Sequence, residues 1–190
     1  NVTEEADGYV RGYGYQGGAS RTGWQRLVGE IGFGKELKDE IEQPGPWSIG
    51  ITAFGEILPY RDNRVTLNHD VKDIHGLPTL TMDVTIRENE MNMRKDMQTA
   101  GVEMLEAAGF KNVKGFDRTY APGLGIHEMG TARMGRDPKT SVLNANNQVH
   151  ACKNVYVTDG AAMTSASCVN PSLTYMALTA RACEWAVGEM

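Results

Sequence analysis

The chain has 190 residues, 41% of them hydrophobic and 23% charged, with a formal net charge of −5. That balance suits one globular domain, or one domain with part of another, and excludes a chain too polar to bury a core. The acidic excess and the lack of a basic run argue against a nucleic-acid surface, and no apolar run reaches the ~18 residues of a membrane span.

The chain opens on Asn1 rather than Met, with no signal-like apolar segment behind it, which fits a processed or excised piece of a longer protein. Residues 1–50 are rich in glycine and aromatics (Tyr9, Tyr13, Tyr15, Trp24, Phe33, Trp47) and predict short strands and loops. A helix over residues 35–42 would stop at Gln43-Pro44-Gly45-Pro46. Residues 49–58 read as a strand ended by Pro59, residues 61–64 as a turn, and Val65 begins a second strand. A third strand spans residues 78–84. The connections are too short for crossover helices, so these three are expected to pair antiparallel.

Residues 87–108 give the clearest helix, because Met93, Met97, Ala100, Met104, Leu105 and Ala108 recur three and four apart and Gly109 stands at the stop. Its methionines read as core filling. A short strand over 110–115, a loop over 117–126, a strand over 148–158 and a final helix over 172–187 follow, with Pro171 in the first turn that proline tolerates. The fold class is α+β. A break near residue 120 separates an antiparallel sheet with a long helix from a glycine-rich loop, one buried strand and one helix.

Three places carry candidate chemistry. In His127-Glu128-Met129-Gly130-Thr131-Ala132-Arg133-Met134-Gly135 a neutral imidazole can take a hydroxyl proton, and the glycines let backbone approach a planar ring. As a residue type alone, a histidine is more often a satisfied structural residue than a base. Asn170, before Pro171, reads first as a helix N-cap; the second reading, compatible with it, has Asn170 project into a site where helix amides favour negative charge. Asp159-Gly160 ends an apolar strand, where α/β sheets bind ligands, or is a plain turn.

Taken in order, His127, Gly130-Thr131, Arg133-Met134-Gly135, Asp137-Pro138, Ser141-Val142, Asn154, Asp159 and Asn170-Pro171-Ser172-Leu173-Thr174 resemble the C-terminal signature of the glucose–methanol–choline (GMC) flavin oxidoreductases, over about residues 127–185. The His/Asn pair is similar to the pyranose-oxidase and sugar-dehydrogenase branch. The resemblance implies a substrate-binding part over residues 1–120. Residues 121–190 would supply the active-site loop and a strand and helix completing an α/β FAD-binding domain whose dinucleotide-binding half is missing from this chain. It implies FAD as cofactor, His127 as base, Asn170 at the substrate hydroxyl, and Asp159, Gly160, Ala161, Asn170, Pro171 and Thr174 along the flavin. The implied partners are the N-terminal FAD-binding half, a sugar or alcohol substrate, and a small subunit with a cytochrome as electron acceptor in the bacterial periplasm. The chain alone would then be inactive, would not hold FAD, and would expose apolar surface on strand 154–158 and helix 171–187.

Other readings compete. A non-catalytic domain that kept the fold would bury and fully hydrogen-bond His127. Gly12-Tyr13-Gly14-Tyr15-Gln16-Gly17 fits G-x-G-x-x-G, but the residues before it are too polar for the required strand, and a nicotinamide site there needs a helix opening at Gly17. No metal site is expected. His69 and His75 flank a turn, His150 and Cys152 form an isolated pair, and Cys152, Cys168 and Cys183 have no CxxC spacing.

Overall fold

The computed structural model describes residues 8–21 and 34–188. Trp24 and Phe33, and the polar residues 4–7 ahead of Gly8, lie outside the described residues. Described elements run β1 (Tyr13–Arg21), α1 (Lys35–Ile41), β2 (Trp47–Gly55), β3 (Arg64–Lys72), β4 (Pro78–Asp83), α2 (Glu88–Ala107), β5 (Gln148–Val149), β6 (Cys152–Tyr156), a 3-10 turn (Gly160–Ala162) and α3 (Ser172–Gly188). The class is α+β, built from helices and small two-stranded sheets β1–β2, β3–β4 and β5–β6. The chain divides into two compact units, residues 14–54 and residues 1–13 with 55–190.

In the smaller unit β1 pairs with β2, and the two backbones approach so closely that a Cβ on Gly17 would lie 2.1 Å from the Gly50 carbonyl. A strand therefore runs through Gly17. The helix that a nicotinamide site would open there is not formed.

The larger unit starts from α2. Met93 and Met97 are buried, whereas Met104 is 46% exposed, so the methionine stripe packs only in its N-terminal half. Glu90 is buried beside them at 4% exposure. Its carboxylate accepts from the Leu58 amide (3.1 Å), the Arg87 amide (3.0 Å) and the Tyr60 hydroxyl (3.2 Å). Burial alone would raise this acid, but the Leu58 and Arg87 amides outweigh it and hold the carboxyl below its ordinary value. Arg87 lies over the Tyr60 ring at 4.2 Å and pairs with Asp62.

This contact explains the first departure from the sequence reading. β3 pairs antiparallel with β4 from Arg64↔Asp83 to Lys72↔Pro78, but β2 joins β1 instead of making a three-stranded sheet. The Leu58 amide, just past β2, is spent on Glu90, and Pro59 has no amide to donate.

Two further expectations fail. Residues 110–115 are not a strand: the Phe110 amide turns back onto the Leu105 carbonyl (3.1 Å), and Asn112 takes a left-handed φ of 59°. Residues 148–158 are not one buried strand but a hairpin. The Val149↔Cys152 pair leaves His150 and Ala151 as its turn, because the His150 amide goes to the Val142 carbonyl at 3.0 Å. β6 pairs only with β5 among the described strands, and Val155 is 43% exposed.

Candidate active site

Backbone hydrogen bonds assemble the C-terminal motifs. Gly130, Ala132 and Met134 donate in turn to the carbonyls of Gly160 (3.2 Å), Ala161 (2.9 Å) and Ala162 (3.1 Å). These three bonds lay the segment after His127, which itself turns at Thr131 and Ala132, along the turn after Asp159. A left-handed φ of 83° at Gly130 starts this segment, a conformation that favours glycine. Beyond it Met134 bridges Leu143, Leu143 bridges Val149, and Leu143 is fully buried.

Asp159 stands three residues beyond β6, and its carboxylate accepts the Ala161 amide at 3.0 Å, capping the 3-10 turn. Gly160 is buried where three segments meet. A Cβ there would lie 2.9 Å from Met129 Sδ, 2.9 Å from the Tyr175 hydroxyl and 3.1 Å from the Glu128 carbonyl. Burial, and then the nearby Asp159 carboxylate, push the Tyr175 phenol above its ordinary pKa, so it stays a proton donor. It donates to Met129 Sδ at 3.6 Å.

His127 is exposed, and its ring has no hydrogen bond among the described residues. Asn170 is exposed as well. The first helical bond of α3 runs from the Tyr175 amide to the carbonyl of the buried Pro171 (3.1 Å), so Pro171 takes the cap position expected of Asn170, whose side chain makes no capping bond. The amides of Ser172, Leu173 and Thr174 have no partner among the described residues, and Thr174 is exposed. The structure thus brings together the segments bearing His127, Asp159-Gly160-Ala161 and the first turn of α3. It forms no hydrogen bond between His127 and Asn170.

Other polar residues are structural. Arg133 bonds the Thr140 carbonyl, and its own carbonyl accepts from Val142 and Leu143. His150 Nε2 lies 3.1 Å from Ser141 Oγ and 3.2 Å from the Gly135 carbonyl, while Ser141 donates to the Asp137 carbonyl at 2.7 Å. Cys152 reaches Asn154 (3.0 Å).

Sequence reasoning missed Asn147, Arg181, Met129 and Tyr175. Asn147 is fully buried at a left-handed φ of 62°. It donates to the Val157 carbonyl (2.9 Å) and accepts from Arg181 (2.8 Å), tying the turn before β5 to the end of β6 and to α3. The signal was the run Asn144-Ala145-Asn146-Asn147, since asparagine is among the residues that tolerate this backbone.

In this α+β chain a His-bearing glycine loop thus runs along an Asp-Gly turn, beside a helix start whose first amides have no partner among the described residues. A family model described as GMC oxidoreductase matches residues 59–179, and the chain belongs to the GMC oxidoreductase family. The 2-methyl-1,2-propanediol dehydrogenase of Mycolicibacterium austroafricanum is 32% identical over 185 residues, 95% of this chain and 33% of that protein. The fructose dehydrogenase large subunit of Gluconobacter japonicus is 30% identical over 175 residues, 91% of this chain and 31% of that protein. A pyranose 2-oxidase of Tricholoma matsutake is 26% identical over 145 residues, 72% of this chain and 26% of that protein. The chain spans a third or less of the length of these curated relatives.

Proposed function

We propose that this chain is the C-terminal, active-site part of an FAD-dependent enzyme that oxidises a sugar or other alcohol by hydride transfer. The observation that carries the reading is the hydrogen-bonded run from Gly130 to Met134 along Gly160 to Ala162, which sets the His127 loop beside the Asp159 turn. The exposed, unpartnered His127 ring is the state a base needs before substrate arrives, and it is the opposite of the buried, satisfied histidine of a non-catalytic domain.

The residues present suit a flavin. Unpaired amides at the start of α3, with Asn170 ahead of them, favour the negative charge that arrives with a hydride. Asp159, Gly160, Ala161, Asn170, Pro171 and Thr174 would line the cofactor, which when bound supplies the acceptor for the hydride. His127 takes the proton of the substrate hydroxyl as the carbon loses its hydride, leaving a carbonyl product. Asn170 holds the substrate oxygen.

On this reading residues 1–120 serve the substrate and residues 121–190 complete the FAD domain, whose dinucleotide-binding half is another part of the same protein. The relatives' names favour a sugar or diol substrate. A small subunit, with a periplasmic cytochrome as electron acceptor, completes the proposed partners. The exposed apolar side chains of α3, Leu173, Met176 and Val187, fit burial against that other half.

The test uses the full-length flavoprotein, mixed rapidly and anaerobically with a panel of sugars and diols while flavin absorbance is followed. His127→Ala should slow bleaching roughly 10²–10⁴-fold with FAD still bound. Asn170→Ala should slow it about 10–10³-fold. Unchanged bleaching in the His127 variant would remove it from the mechanism.

A further inference from the structure

His127 sits on a weakly supported stretch of backbone. Ile126 before it has a left-handed φ of 70° and is 90% exposed. On its N-terminal side, among the described residues, the anchor is the Glu128 carboxylate accepting the Gly125 amide at 2.7 Å, which closes a tight turn around Ile126 and His127. On its C-terminal side the next anchor is the contact of Met129 with Tyr175 over Gly160, followed at once by the Gly130–Gly160 hydrogen bond. Tyr175 belongs to α3 and lies five residues past Asn170. A side chain that joins Met129 to α3 therefore joins the His127 loop to the helix that Asn170 precedes. The phenol remains protonated, and it donates to the Met129 sulfur.

We propose that Tyr175 is a positioning residue: through Met129 its hydroxyl registers the His127 loop against the start of α3 and so sets His127 relative to Asn170. This rests on the reading of His127 as the base. Proton removal needs heavy atoms within hydrogen-bond reach, and small displacements of a reacting group lower rates steeply. Among the described residues two side-chain contacts join this segment to α3, Tyr175 to Met129 and Arg181 to Met134 Sδ (3.7 Å), and the Met129–Tyr175 contact is the one nearer to His127 and to Asn170.

The test is a double-mutant cycle in the full-length holoenzyme, read as the limiting rate of flavin reduction and the substrate concentration at half saturation. Tyr175→Phe keeps the ring and deletes only the hydroxyl; Met129→Leu keeps the bulk and deletes the sulfur acceptor. Each should lower the limiting rate roughly 3–10-fold, leave half saturation within about 2-fold and leave FAD content intact, and the double variant should be no slower than either single one. In a His127→Ala background, Tyr175→Phe should have no further effect. A normal rate in Tyr175→Phe, alongside a slowed His127→Ala, overturns the positioning role and leaves the base reading standing. Equal slowing by Tyr175→Phe with and without His127 overturns it too, since the effect then does not pass through the base. A normal rate in His127→Ala removes the base, and the positioning role with it, which separates that failure from the other two.

Discussion

Gly160→Ala probes the point where the three C-terminal motifs meet. The residue's φ lies outside the left-handed region, so alanine meets no dihedral penalty, and the unfolded-state effect of the exchange would stabilise by about 0.4–1 kcal/mol. Space opposes it. The new methyl would meet Met129 Sδ and the Tyr175 hydroxyl at 2.9 Å and the Glu128 carbonyl at 3.1 Å. Optimal contacts lie near ~3.5 Å or beyond, so each neighbour must retreat by about half an ångström. The sulfur and the phenol are side-chain ends and can yield, but the carbonyl is main chain, one residue from His127. Overpacking of this kind costs about 1–3 kcal/mol, leaving a net destabilisation of about 1–2 kcal/mol. In a domain of this size that lowers Tm by roughly 2–4 °C per kcal/mol. Since an error of about 1 Å in placement can lower a rate on the order of 10²-fold, half of that displacement should slow flavin reduction about 10-fold. Differential scanning fluorimetry and anaerobic rapid mixing read the two effects. A variant with wild-type Tm and wild-type bleaching would show that Gly160 is not a close-packed junction. A slowed variant that has merely lost FAD would refute the link from this junction to His127.

Three further outcomes are expected. Glu90→Gln should destabilise by about 2 kcal/mol, seen as a lower urea midpoint, because one amide or hydroxyl donor on the buried carboxylate loses its acceptor. The Glu90 carboxyl is held below its ordinary value in the folded chain, so its contribution is complete above the unfolded-state pKa of about 4.3. It is lost as pH falls further, and the gap between wild type and variant should narrow below roughly pH 5 and stay constant above it. Asn147→Ala should cost about 2–4 kcal/mol in the same assay, since it leaves the Val157 carbonyl without its side-chain donor, removes an acceptor from Arg181 and puts alanine at a left-handed φ. Gly17→Ala should destabilise the β1–β2 pair through its clash with the Gly50 carbonyl, read as faster amide exchange in residues 47–55 while exchange in α2 stays unchanged.

What could be read ahead of the structure had a local cause. α2 and α3 were legible because methionine spacing, Gly109 and Pro171 act within a few residues of where they stand, and the observed bounds differ from the expected ones by one residue. The β3–β4 hairpin was legible for the same reason: Asp73 closes its own turn by accepting the His75 and Leu77 amides at 2.8 and 2.9 Å. The failure at residues 110–115 was local, in the Phe110 amide and the backbone of Asn112, but two others are contests decided by a partner outside the segment. β2 lost its expected neighbour because the Leu58 amide found Glu90, 32 residues on, and the hairpin at His150 forms because Val142 supplies the acceptor for its amide. Neither partner announces itself in the local pattern of its own segment.

The candidate site divides along the same line. The order of His127, Asp159 and Asn170 was visible because those residue types recur together in a family, while the side chains that join their segments were not. Met129 reads as one more apolar residue in a glycine loop, and Tyr175 as one more position on an apolar helix. Their contact spans 46 residues of sequence and depends on Gly160 having no Cβ beneath it. The chemistry of such a site is carried by polar types that the sequence displays. Its geometry is set by apolar and glycine positions whose meaning appears only when three segments close on one point. On the proposed reading, the residues that set His127 relative to Asn170 are therefore those that look least like active-site residues.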